Sequence, residues 1–462
     1  MSRRQNTSNN SLALYGVITA AVYLLTLIFY RHGPEVRSRT AREVFAWFFC
    51  TALLFLFWKG YQQVTRADKP PIRTIVGFAV VLCLLAFLIF PFHSNDVFGY
   101  INFGWQQVHY GQNPYVEVLG NIPNWEQDPM LRENWVYVPT PYGFLFTLLE
   151  RFICWVGNGN LWVTLALFKA TSVLAYAVTG WIIWSASKRL PYVKPATALY
   201  LFLWNPLILM HNIANGHNDV LTGLFVVLAV YLAITKNYFW IVPALVVATL
   251  LKFAPVLLIP PALIFVIKNR GWRVAALSCL LGGGLFAVIS FPYLRDWQLL
   301  KLEDMGGNAT LIDNSLHSLL IHIFENIARV FSGLAPLHTL VDSTIKAVLR
   351  IGLVVFVIYQ WLKIPKNFDA KALTTKSLLI LFVLICVASS KFNAWYLGMI
   401  LPLALLLEDD HWLRRLVVLI TGTELLSLTF FKQAYMLNYF AMIVIPAWIV
   451  LRQERKRRAS VM

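Results

Sequence analysis

The sequence predicts an all-α, polytopic transmembrane helix bundle, and three observations predict it. Of 462 residues, 58% are hydrophobic and 13% are charged, about half the charge density of a soluble globular chain. Apolar runs long enough to cross a hydrocarbon core of about 30 Å recur from end to end, 12–30, 74–92 and 161–184 among them. These runs are continuous in Leu, Val, Ile and Phe, without the alternation over roughly 10-residue segments that marks a membrane β-barrel. Each span therefore satisfies its backbone internally, as a helix.

Taken in order, the runs give about fourteen spans, within a range of about 12–14. They cover 12–30, 44–59, 74–92, 160–186, 195–212, 218–234, 238–251, 253–267, 272–292, 341–362, 375–389, 394–408, 412–430 and 434–451. Arg3 and Arg4 precede the first run, yet that run lacks a small-residue cleavage site and is long enough to span, so it reads as a helix. The seventh and eighth runs are short of the roughly 20 residues a span needs. Together they read as a hairpin that enters from the cytoplasm and turns near Lys252.

Basic residues fall between the runs and orient them. Lys188, Arg189 and Lys194, then Lys268, Arg270 and Arg273, then Lys363, Lys366, Lys371 and Lys376, then Arg414 and Arg415 mark cytoplasmic loops. The tail Arg452, Arg455, Lys456, Arg457 and Arg458 joins them and puts both termini in the cytoplasm, where it could also hold anionic headgroups. The net charge of +17 is thus topological. It forms no single basic stripe of the kind nucleic acid requires. The segment 31–43, with Arg31, Arg37, Arg39 and Arg42, is the exception, because parity places it outside.

Two outer segments far exceed a turn, about 93–159 and 291–340. Within the first, residues 141–155 are apolar enough to span but carry Glu150 and Arg151 in mid-run. A crossing there would put Lys188 and Arg189 outside, so the segment reads as a helix along the outer interface with its charged face in water. Residues 314–331, with Ser318, His322, Glu325, Asn326 and Arg329 among apolar positions, read the same way. Cys50, Cys83, Cys154, Cys279 and Cys386 stand singly in apolar runs, without CxxC or Cys/His spacing, and read as packing residues.

Polar clusters gather at the outer ends of the spans. His93-Ser94-Asn95-Asp96 leaves the third span, where an acid can meet a soluble hydroxyl from one side and a lipid headgroup from the other. That suits Asp96 to general-base work, and it equally fits the cap of a following helix. Residues 212–219, with His217, Asn218 and Asp219, join the fifth and sixth spans. Lys252 and Lys391 stand as lone cations beside apolar surface: either they snorkel to the headgroups, or they stabilise the charge growing on a leaving phosphate. His93, Asp96, His217 and Asp219 are suitable metal-ligand types, but no compact pair such as HxxxH is present and no metal is assigned. Trp105, Tyr110, Tyr115, Trp125, Trp135, Tyr137 and Tyr142 make the first long segment aromatic, for interface anchoring or for stacking on a sugar. No GxxxxGK[ST], GxGxxG or GxSxG motif occurs, so an activated donor would arrive through the membrane rather than as a nucleotide held by a known loop.

From about Thr74 to the C-terminus the chain resembles the GT-C glycosyltransferases, and among them the bacterial polyprenyl-phosphate-mannose-dependent mannosyltransferases. The carriers are Asn95-Asp96-Val97-Phe98-Gly99-Tyr100, Gly111-Gln112-Asn113-Pro114-Tyr115, Thr140-Pro141-Tyr142-Gly143, Trp204-Asn205-Pro206, Asn215-Gly216-His217-Asn218-Asp219, Lys252-Phe253-Ala254-Pro255 and Trp395-Tyr396-Leu397 with Pro402. The resemblance divides the chain into two additional N-terminal helices, 1–73, and a catalytic transmembrane domain, 74–462. It implies a membrane mannosyltransferase of the bacterial cell membrane with an extracytoplasmic active site, working without metal or other cofactor and inverting the anomeric centre. The acid it requires in the first long outer loop falls on Asp96. Lys252 and Lys391 are then candidates for the departing phosphate, and His217, Asn218, Asp219 and Tyr142 for substrate binding. The family often has Tyr-Gly-Pro or Tyr-Pro-Pro where this chain has Tyr142-Gly143-Phe144, a departure at the acceptor entrance. The implied partners are a polyprenyl-phosphate sugar, a glycan, glycolipid or protein acceptor, and membrane lipid. A transporter or flippase of lipid-linked saccharides is the alternative. Transporters, however, place ionisable groups near the bilayer midplane and show repeated halves, neither of which is visible here.

Overall fold

A computed structural model describes residues 2–31, 38–294, 314–430 and 438–459. Residues 32–37 of the basic segment, 295–313 of the second long segment and 431–437 at the start of the last expected span lie outside the described residues.

The expected helix bundle is what the described residues form. In chain order the helices are α1 (Ser2–Phe29), α2 (Arg39–Arg66), α3 (Ile72–Leu88), α4 (Asp96–His109), α5 (Phe144–Gly157), α6 (Leu161–Ser187), α7 (Pro195–Leu203), α8 (Asp219–Ile234) and α9 (Ile241–Leu251). They continue with α10 (Ile259–Arg270), α11 (Trp272–Leu294), α12 (Leu316–Val330), α13 (His338–Leu362), α14 (Ala370–Val383), α15 (Leu397–Ala404), α16 (Trp412–Phe430) and α17 (Ile445–Ala459). Among the described residues, five helical stretches are long and apolar enough to cross a membrane unaided, and shorter apolar helices, α3 and α8 among them, pack beside them. The chain is a multi-pass membrane protein. Large apolar side chains such as Trp47, Leu84, Leu280, Val288 and Val354 lie exposed on the flanks of the bundle, where lipid rather than water is the solvent.

One apolar core runs through the bundle and includes Leu12 of α1, Phe49 of α2, Leu82 of α3, Phe202 of α7 and Leu401 of α15. A second cluster, with Phe103, Tyr142, Phe146 and Phe168, joins α4, α5 and α6. Side-chain caps set several boundaries. Asn160 Oδ1 accepts from Trp162 N and Val163 N at the start of α6, and Asp369 Oδ1 from Ala372 N at the start of α14.

Three details differ from the sequence reading. The run 195–212 is not one straight helix. It bends by 52° between α7 and a π-helical turn, Ile208–Ala214, because Pro206 lacks an N–H and excludes helix from the residue before it. Asn205 Oδ1 caps the restart by accepting from Leu207 N at 3.0 Å. Helix α5 does not turn its acid to water: Glu150 is 0% exposed, packed toward α4, and only Arg151 faces out. The aromatic residues of the first long segment partly pack among themselves, with Trp105 Nε1 and Tyr110 OH both donating to Asp128 Oδ2 and Trp125 buried beside them. As expected, the chain breaks at Lys252, whose extended backbone ends α9, and α10 folds back against α9. Cys279 is half-buried and the other four cysteines are buried, all of them free.

Candidate active site

The C-terminal ends of α3 and α9 meet the N-terminal ends of α4, α8 and α15 at one end of the bundle. Asp96 opens α4 and Asp219 opens α8, so each carboxylate sits in a first turn, where the helix dipole favours negative charge.

Asp96 does not serve as the helix cap. Asn95 holds that position, and no side chain caps it. One carboxylate oxygen of Asp96 accepts from Trp135 Nε1 at 3.2 Å, and the other faces His217 Nδ1 at 3.6 Å. The side chain is 16% exposed. Burial pushes its carboxyl above the usual carboxylate range, against the Trp135 bond and the charges of Lys391 and Lys252, which act the other way. A raised pKa makes a carboxylate a stronger base.

Trp135 reaches Asp96 through a backbone that no apolar pattern announces. Its φ is +61°, and its indole lies where a Cβ on Gly99 would come within 2.5 Å of Cδ1. Gly99 therefore leaves a flat face on α4 one turn beyond Asp96. Asn134 Nδ2 fixes the same loop by donating to Asn95 O at 2.8 Å.

The segment 215–218 is tied to the chain entering Asp96. Asn215 Oδ1 accepts from both Phe92 N and His93 N, each at 3.0 Å. Gly216 has φ +74°, and a Cβ there would stand 3.1 Å from Val97 Cγ2, so only glycine suits both the turn and the approach. His217 is fully buried and stacks on Trp395, with ring centroids 3.9 Å apart and planes at 12°. His211 and His93 extend this group of rings.

Lys252 is not the lone cation that sequence suggests. Its Nζ is 2.6 Å from Asp219 Oδ1 and 4.4 Å from the centre of the Tyr396 ring. The two residues are 33 positions apart, and nothing in the sequence pairs them. Lys391 Nζ lies 5.5 Å from the centre of the Trp135 ring. Tyr142 is buried edge-on against Tyr100, with ring centroids 5.1 Å apart. The structure thus brings six of the seven candidate residues, Asp96, His217, Asn218, Asp219, Lys252 and Lys391, to one end of the bundle, with Tyr142 behind them through Tyr100. Trp135, Trp395, Tyr396 and Tyr100 complete the site. Trp135 reads in sequence only as one aromatic among many, and the other three stand in the family-like motifs with no role that the sequence alone assigns.

Several polar atoms here have no partner among the described residues: His217 Nε2, both amide atoms of Asn218, and Asp219 Oδ2. Each buried, unsatisfied group costs about 1–3 kcal/mol. A polar guest or water seated among these atoms would remove that cost. Aromatic faces beside orphaned donors and acceptors suit a sugar. Among the described residues no three His, Cys, Asp or Glu side chains converge as a metal site does.

Residues 13–268 match the sequence model of a family described as alpha-(1->6)-mannopyranosyltransferase, N-terminal domain. The chain is 24% identical over 368 residues to alpha-(1->6)-mannopyranosyltransferase A of Corynebacterium glutamicum, covering 74% of this chain and 72% of that protein. It is likewise 24% identical over 435 residues to alpha-(1->6)-mannopyranosyltransferase A of Mycobacterium tuberculosis, covering 88% and 80%.

Proposed function

The chain belongs to the alpha-(1->6)-mannopyranosyltransferase family and is a membrane glycosyltransferase of the GT-C kind, and from that premise we propose that it draws mannose from a polyprenyl-phosphate donor. The acceptor is a hydroxyl of a glycan, glycolipid or protein at the extracytoplasmic face of a bacterial cell membrane. The observation that carries this reading is the meeting, at one bundle end, of a base-type carboxylate with two ammonium groups and the orphaned polar atoms of residues 217–219.

The reaction is a single displacement. Asp96 takes the proton of the acceptor hydroxyl as that oxygen bonds to the anomeric carbon, and the bond from that carbon to the phosphate oxygen breaks. The polyprenyl phosphate leaves with the electron pair, and the configuration inverts through an oxocarbenium-like transition state. Lys252 and Lys391 receive the phosphate. Asp219 holds Lys252 until that charge arrives, which spares the site an uncompensated buried cation. His217 and Asn218 orient the sugar, with Tyr142 supporting the wall through Tyr100. Transfer itself requires no metal or other cofactor.

Reconstituted protein, given radiolabelled polyprenyl-phosphate mannose or a radiolabelled nucleotide mannose with the same membrane-extract acceptor, tests the donor. Transfer from the lipid donor alone is expected. Transfer from the nucleotide sugar alone would overturn the reading.

A further inference from the structure

We propose that Lys169, in the middle of α6, is a positioning residue that sets the place of Asp96 by holding the end of α3. The inference rests on the reading of Asp96 as the base.

Lys169 is 3% exposed. Its Nζ donates to Phe87 O at 2.5 Å and Ile89 O at 2.6 Å, with Ala86 O farther off at 3.5 Å. These carbonyls lie at the end of α3, where helix geometry leaves oxygens without intrahelical partners and concentrates partial negative charge. A lysine satisfies both conditions. Closing a helix does not demand a buried charge, though: at the end of α9 the backbone donors Lys252 N and Gly143 N bond Ala248 O and Leu251 O. Burying an ammonium group costs several kcal/mol, so its presence points to the segment beyond α3.

That segment is the approach to Asp96, seven residues past Ile89. Phe92 N and His93 N are pinned to Asn215 Oδ1. One turn along α6 from Lys169, on the same face, Ser172 Oγ donates to His217 O at 3.3 Å. A Cβ on Gly216 would stand 3.5 Å from Lys169 Cγ. A single face of α6 therefore holds the chain that delivers Asp96 and the backbone of the histidine that faces it. Proton transfer demands placement within about 0.5 Å, and this clamp is the connection that supplies it.

The test uses Lys169→Met, which keeps the stem and removes the donors, and Lys169→Arg, which restores donors. Lys169→Met should lower kcat about ten- to a hundredfold while the donor KM stays within about twofold, and Lys169→Arg should recover most of the loss. A readout independent of catalysis is maleimide labelling of Asn95→Cys, at an exposed position, in protein carrying Cys279→Ser. Lys169→Met should change that labelling rate several-fold. Unchanged kcat per folded molecule, or unchanged labelling, would overturn the proposal. Full activity in Asp96→Asn would instead remove the base reading, and the labelling would still decide whether Lys169 places the loop.

Discussion

Asp96 owes its character to its neighbours and to burial, which act in opposite directions. Burial raises its pKa, while the Trp135 indole and the two lysines restrain it. The proposed transfer requires the ionised form of Asp96, so on that proposal activity should fall with acid through a pKa above that of an ordinary carboxylate. Trp135→Phe deletes a bond to the charged form and leaves burial in place. The acidic limb of the kcat/KM profile should then move to higher pH, and a pH series on the two proteins measures it. A limb that stays put would show that Trp135 does not bear on the base. Much of this site is legible in the sequence, because Asp96, His217, Lys252 and Lys391 are polar residues at the ends of apolar runs, where polarity needs a reason. Trp135 and Lys169 are not legible. The first depends on a left-handed backbone, the second is one charge inside a long apolar helix, and only tertiary contacts give either a role.

Helix α5 shows how an amphipathic reading fails. A charged residue in the middle of an apolar run normally marks a wet face, yet Gly104 lets α5 approach α4 so closely that a Cβ there would meet Glu150 O at 2.4 Å. The helix is drawn in, and its acid is sealed with it. Both carboxylate oxygens of Glu150 lack partners among the described residues, and burial holds the carboxyl well above the usual carboxylate range. The folded chain therefore keeps a proton that the unfolded chain releases above about pH 4.3, so this group's cost to stability grows as pH rises from there toward the folded pKa. Glu150→Gln, which has no proton to lose, should raise the Tm in detergent, and by more near pH 8 than near pH 5. An equal gain at both would mean that the acid is ionised in the fold. The bend after α7 follows from Asn205-Pro206 and is readable in hindsight, whereas the approach of α5 depends on its partner helix and is not.

At the scale of the molecule, the basic loops and the candidate site draw on different segments of the chain. The basic loops are tied in places to acids such as Glu408 and Asp409, and their charge is what the proposed orientation rests on. The site end carries the acids Asp96 and Asp219, the lysines Lys252 and Lys391, and a group of packed histidine and aromatic rings. Hydropathy reveals the bundle, because lipid imposes it on the sequence directly, and loop charge is the basis of the orientation proposed for it. Neither shows which helix ends converge, which is why the pairing of Lys252 with Asp219 emerges only from the fold. The measurement that bears most directly on the mechanism is mannosyl transfer from radiolabelled polyprenyl-phosphate mannose by reconstituted Asp96→Asn beside the unmodified protein, with donor binding followed in parallel. Loss of the base predicts a fall in kcat of about a hundredfold or more with donor binding retained, whereas undiminished transfer by Asp96→Asn would contradict it.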